Sequence, residues 1–140
     1  MKYDKAAILI KKAALTFEKM ANPLLQKYDL TDAQYKMLKY LFAHQAEAVR
    51  QVDLEKYYSM THPTAIGLLD TLEKKGFVIR RPNPEDARSR VISLTDKSLS
   101  MQDKLVGMGE TLEKEFTKAL TEEERTQLVK LLQKLLSSFE

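Results

Sequence analysis

Cysteine is absent from all 140 residues. That excludes disulfides, thiolate catalysis and cysteine-ligated zinc, and it fits a reducing compartment. Long apolar runs are missing too. The longest, "AAILI" at positions 6–10, is far too short to cross a bilayer, so no membrane partner is expected. The stretch "MKYDKAAILIKKAALTF" carries charge throughout and has no small-residue cleavage site behind an apolar block. No signal peptide is therefore expected, and the cytoplasm is the expected location. His44 and His62 stand apart in sequence, and no His/Asp/Glu grouping has metal-ligand spacing. The "GMG" at Gly107–Gly109 follows no strand, so it is no phosphate loop; a bend or close contact within a long helix is expected there. No nucleophile has a base at catalytic spacing. Neither a metal, a cofactor nor an enzymatic activity is expected.

What is present points to a folded, mostly helical chain. Apolar residues make up 44% and charged residues 31%, a globular balance. The length suits one main core, or a small domain with extra helices. Net charge is only +3, but it is unevenly spread. Residues 1–29 carry +3, residues 30–73 carry −2, residues 74–97 carry +4 and residues 98–140 carry −2. The densest positive stretch is a footprint expected of a polyanion partner.

Periodicity locates the elements. Residues 5–28 place Ile10, Phe17, Met20, Ala21, Leu24 and Leu25 on one helical face, with a break expected near Asn22, before Pro23. Thr31 is the expected N-cap of a second helix, in "LTDAQYKMLKYLFAH", and His44 should cap its far end or act as a C-terminal cation there. "AVRQV" reads as a short strand and "VDLEKYYS" as a short helix with no good cap. Thr61 should cap the next helix, Pro63 is tolerated in its first turn, and Gly76 should end it. "FVIRR" and "RVISL" alternate as a hairpin. Thr95 should cap a long helix reaching about Ala119. Thr121 with Glu124 should open the last one, whose stripe is Leu128, Leu131, Leu132, Leu135, Leu136 and Phe139.

The expected fold is mainly α with a small β-hairpin wing. It is a winged helix-turn-helix over residues 30–96, flanked by helices in 1–29 and 97–140. The flanking stripes need cover, and a second copy of the chain is the economical cover. In residues 61–75 the buried stripe is Ala65, Leu68, Leu69 and Leu72. Pro63, Ile66, Gly67, Asp70 and Lys74 then face outward, with Thr64 at the margin. Glycine inside a helix costs about 1 kcal/mol against alanine. Gly67 is therefore expected to let backbone approach a groove wall, Ile66 to touch a thymine methyl, and Thr64 to bond a base edge or phosphate. His62 is a candidate phosphate donor, and Arg50 a further candidate contact to DNA. Asp70 would repel phosphate, which should confine contact to the first two turns.

"RRPNPEDARSRVISLT" packs four arginines and two prolines into sixteen residues. Pro82 and Pro84 should stiffen a tip that reaches the minor groove. Arg88 should enter an A·T-rich groove with Asp86 holding its guanidinium, while Arg80, Arg81 and Arg90 should meet phosphates.

These motifs carry a resemblance. "PEDARSRVISLT" resembles the D-x-R…L-T wing signature of the MarR family of bacterial transcription regulators. "LTDAQYKMLKYL" and "LLDTLEKKGFVIR" are similar to its second helix and to its recognition helix running into the wing. The resemblance implies an obligate homodimer built by the terminal helices. It implies a pseudo-palindromic operator in double-stranded DNA and a ligand-responsive repressor. Asp86 and Arg88 fall on the family's wing pair. Gly67 stands where many members have arginine, and Ser98 replaces a frequent glycine with no evident consequence. The resemblance also implies a small aromatic or phenolic effector, for which Phe17, Met20, Tyr35, Leu105 and Met108 are the candidate lining. The competing expectation is a winged-helix module that binds protein partners without specific DNA readout.

Overall fold

Helix starts follow their caps. Thr31 and Gln34 form a reciprocal capping box, with Gln34 N–H donating to Thr31 Oγ1 at 3.2 Å and Thr31 N–H to Gln34 Oε1 at 3.1 Å. Thr61 accepts from Thr64 N–H, and Thr121 and Glu124 repeat the box at 3.1 and 2.8 Å. The computed structural model describes residues 4–140. In chain order it contains α1 (Ala6–Leu25), a 3-10 turn (Gln26–Tyr28), α2 (Asp32–Ala43), β1 (Val49–Arg50) and α3 (Gln51–Tyr58). Then come α4 (His62–Lys74), β2 (Val78–Asn83), β3 (Asp86–Leu94), α5 (Asp96–Phe116) and α6 (Glu122–Ser137). This is the expected mainly helical winged helix-turn-helix.

Two elements differ from expectation for physical reasons. Pro23 does not break α1 near Asn22; the helix continues to Leu25. Ala21 and Leu25 are both fully buried, and that packing outweighs the hydrogen bond a proline removes. The break comes as the 3-10 turn, closed by Asp29 in the left-handed region (φ 59°). Likewise α5 passes through Gly107–Gly109 without interruption and ends at Phe116, short of Ala119. A Cβ on Gly107 would meet nothing within 4 Å, so this glycine marks no close contact.

The sheet has the order β1-β3-β2, all antiparallel. Val49 pairs with Ile92, Val78 with Leu94 and Arg81 with Val91. Both hairpin strands are longer than expected and take in Pro82, which pairs with Arg90. A proline is tolerated there because β2 is an edge strand and lacks a neighbour on one side.

The chain divides into two units, one through Val106 and one from Gly107, with α5 passing from the first into the second. In the first, Met37, Leu38, Leu54, Leu69, Leu72 and Phe77 are fully buried. Leu68, expected in the stripe, is only half-buried, because α4 turns Ala65, Leu69 and Leu72 inward instead. Gly76, at φ +82°, ends α4, with Gly76 N–H donating to Glu73 O and Phe77 N–H to Leu72 O. Ser98 is not without consequence. Its buried hydroxyl donates to Phe77 O at 2.8 Å and accepts from Thr95 N–H at 3.0 Å, joining the start of α5 to the residue before β2. In the second unit no residue of α6 is buried.

Candidate nucleic-acid interface

The turn between α3 and α4 is three residues long and begins with Ser59 in the left-handed region (φ 53°). That backbone reverses the chain tightly enough to bring the end of α3 beside the start of α4. The start of α3 has a cap that sequence reasoning missed. Asp53 accepts the backbone N–H of Arg50 at 2.8 Å and its guanidinium at 3.1 Å. Burial raises the pKa of Asp53, but these two bonds outweigh it and hold the carboxyl below its ordinary 3.8. Arg50 is thus oriented by α3 while its side chain stays open to solvent.

The first two turns of α4 present an open edge. His62, Pro63, Thr64 and Gly67 are exposed. Thr61 Oγ1 donates to Thr64 Oγ1 at 2.9 Å, which fixes the threonine and leaves its own proton for an outside acceptor. A Cβ added at Gly67 meets nothing within 4 Å, so no neighbouring element of this chain requires the glycine. Ile66 is half-buried, less exposed than expected.

His62, a candidate phosphate donor, also has partners within the protein. Its Nδ1 lies 2.9 Å from Glu55 Oε2 and 3.0 Å from Gln51 Nε2, so it bridges the two helices. The Gln51 amide, and then His62, hold Glu55 below its ordinary 4.5. No single residue signalled this arrangement, because Gln51, Glu55 and His62 meet only when the turn is closed.

The wing tip is knit by polar side chains. Pro84 and Glu85 form the turn between paired Asn83 and Asp86. Asn83 accepts from Glu85 N–H and donates to Ser89 Oγ, both at 3.0 Å. The register shifts between Pro82 and Asn83, so β3 carries an irregular stretch around Arg88. Asp86 holds Arg88 differently from expectation. Its carboxylate accepts the backbone N–H of Arg88 at 3.0 Å, aiming the residue through its main chain. A two-residue offset suits that Asx turn better than side-chain pairing.

Arg80 departs furthest from expectation. Its guanidinium is not offered to phosphate but donates to Asp70 at 2.5 Å and Glu73 at 3.0 Å, both on α4. Arg81, Arg88 and Arg90 remain exposed. Of the expected contacts, Arg50, His62, Arg88 and Arg90 meet around one shallow cleft of about 330 Å³, together with Gln51, Glu55 and Ser89.

The expected effector residues do not form one site. Tyr35 is core: its hydroxyl donates to Leu105 O at 2.6 Å, and Leu105 is fully buried. Burial, then Asp32, pushes the Tyr35 phenol up to about 12. Phe17 and Tyr35 line a cavity of about 380 Å³, but the rest of its wall comes from Asp32, Lys36, Lys39, Tyr40, His44, Tyr57 and Tyr58. Leu105, Met20 and Met108 are not in that wall. Inside it, Tyr40 stacks on His44 with centroids 3.9 Å apart and meets Tyr57 edge-on at 5.1 Å. His44, the C-cap of α2, has its Nδ1 2.7 Å from Tyr40 O.

A sequence profile of the MarR family matches residues 30–89. Over 120 residues the chain is 33% identical to the multiple antibiotic resistance protein MarR of Escherichia coli strain K12, covering 85% of this chain and 82% of the relative. Its fold is similar to that of Staphylococcus aureus MepR in a DNA complex, with a TM-score of 0.85, 29% identity, and 98% and 99% of the two chains covered. A mutant of E. coli MarR complexed with operator DNA aligns at TM-score 0.82 and 32% identity, over 93% of this chain and 92% of that one.

Proposed function

The chain belongs to the MarR family, and from that premise we propose that it is a sequence-specific, DNA-binding transcription regulator that acts as a homodimer and a ligand-responsive repressor. The observation that carries the reading is the convergence of Arg50, Arg88 and Arg90 on one cleft beside the open first turns of α4. Three guanidiniums from two strands, β1 and β3, offer forked donors to a phosphate backbone. Thr64, Ile66 and Gly67 sit on the edge that would enter the major groove, and Arg88 at the wing would reach the minor groove. Pro63 pre-sets the first turn of α4, where the positive end of the helix dipole favours an anion.

The second copy would cover the apolar surface of α6 and of the residues just after it: Leu131 and Leu136 are each 64% exposed and Phe139 is 82% exposed. The aromatic cavity between α1, α2 and α3 suits a small aromatic or phenolic effector, with Tyr57 and Tyr40 as ring walls and Lys36 and Lys39 for an attached anion. The test is footprinting on the duplex immediately upstream of the protein's own coding region, repeated across a salt series. A protected pseudo-palindrome with a steep salt slope is expected. Absence of protection, or a flat slope, would favour a module that binds protein partners only.

A further inference from the structure

The basic stretch that leads into the wing contains one arginine that points back into the protein. Arg80 sits in β2, opposite Ile92 of β3. Its side chain is only 19% exposed, and its guanidinium spans Asp70 and Glu73, one turn apart on α4. The backbone takes part as well, since Arg80 N–H donates to Glu73 Oε2 at 3.2 Å. Three donor contacts from one residue thus join the wing to the second half of α4. Each involves a charged group, the stronger kind of hydrogen bond. The bonds to Arg80 hold Glu73 below its ordinary 4.5, so the clamp is ionised at neutral pH.

We propose that Arg80 is a positioning residue for DNA binding, which fixes the wing against α4 and cancels two carboxylates that would otherwise repel the phosphate backbone. The inference rests on the reading that α4 and the wing contact DNA together. An isolated hairpin of this size has little stability of its own, and its tip is joined by polar bonds within the hairpin. Its direction relative to α4 must then come from its base. There Phe77 and Val78 bury the strand, and Arg80 is the next inward-turned residue. Glu73 and Asp70 are partly exposed, at 41% and 48%, so loss of Arg80 would present two negative charges to an approaching polyanion.

The experiment compares Arg80→Gln, Arg88→Ala and the neutral triple variant Asp70→Asn/Glu73→Gln/Arg80→Gln with wild type. All are checked for native helix content. Binding to a labelled duplex from upstream of the coding region is measured across a salt series, and amide exchange of residues 80–92 is followed without DNA. Arg80→Gln is expected to weaken binding on the order of tenfold, equivalent to about 1.4 kcal/mol, most at low salt, where the repulsion between the two uncancelled carboxylates and the duplex is least screened. It should also speed amide exchange in the wing. The triple variant should regain part of the lost affinity, because the uncancelled carboxylates are gone. A triple variant that binds no better than Arg80→Gln would overturn the inference and make Arg80 a phosphate contact. Wing exchange unchanged by Arg80→Gln would overturn it too. If wild type binds no duplex, the DNA reading itself fails, while the exchange data still show whether Arg80 sets the wing.

Discussion

Three of the four arginines between positions 80 and 90 take different parts because their surroundings differ. Arg80 is drawn onto two carboxylates of α4, Arg90 lines the cleft, and Arg88 is aimed by Asp86 through its backbone N–H. Arg88→Ala should therefore weaken DNA binding and lower the salt slope by about one phosphate contact. Its melting temperature should stay near wild type, because the Asp86 bond to the main chain survives the change. Full affinity in a filter-binding assay would sink this assignment. Gly67→Arg tests the adjacent edge. Open space at this Cβ means the side chain fits, and removing a mid-helix glycine should stabilise α4 by roughly 0.5–1 kcal/mol. Calorimetry should show the higher melting point, and the salt slope should steepen by about one contact. Ile66→Ala should lose on the order of 1 kcal/mol of binding at sites with one particular thymine, and replacing that thymine with uracil should reproduce the loss in wild type. Because Ile66 is half-buried, the variant should also melt earlier.

At the scale of elements, caps and stripes were legible in the sequence because they are local. Thr31, Thr61, Thr121 and Gly76 bound their helices where spacing places them. The pairings that shape the candidate site were not legible. Asp70 and Glu73 meet Arg80 only once the hairpin folds back on α4, and His62 meets Glu55 only across a closed turn. The Asp53 cap of α3 went unseen because an arginine precedes the helix, where a hydroxyl or carboxamide is the usual signal. That cap has a pH signature. The folded pKa of Asp53 lies below its ordinary value, so its contribution is complete above the unfolded pKa and is lost as pH falls through the folded one. Urea midpoints of wild type and Asp53→Asn should differ most near neutrality, then converge below about pH 4. A gap that widened on acidification would contradict the cap.

For the whole molecule, α6 decides what assembly must accomplish. None of its residues is buried, although Leu128, Leu131, Leu135 and Leu136 share one stripe that Phe139, just past its end, extends. Deleting residues 122–140 should give aggregated or unfolded material in place of a well-behaved monomer. Burial of that stripe in the intact assembly contributes on the order of 10 kcal/mol by area bookkeeping. Sedimentation of wild type at micromolar concentration should show the two-fold species, and a soluble folded monomer from the truncation would refute the proposal.

The sheet sets the opposite boundary. One rim is a strand of two residues, and the other carries Pro82, which lacks an N–H to share. Neither rim offers a long ladder on which another chain could lengthen the sheet. Self-association is thereby channelled into side-chain contacts between helices, which saturate at a fixed number of copies, and away from strand addition, which has no natural end. The edge proline of the wing thus works against the strand-on-strand growth by which crowded solutions turn fibrous.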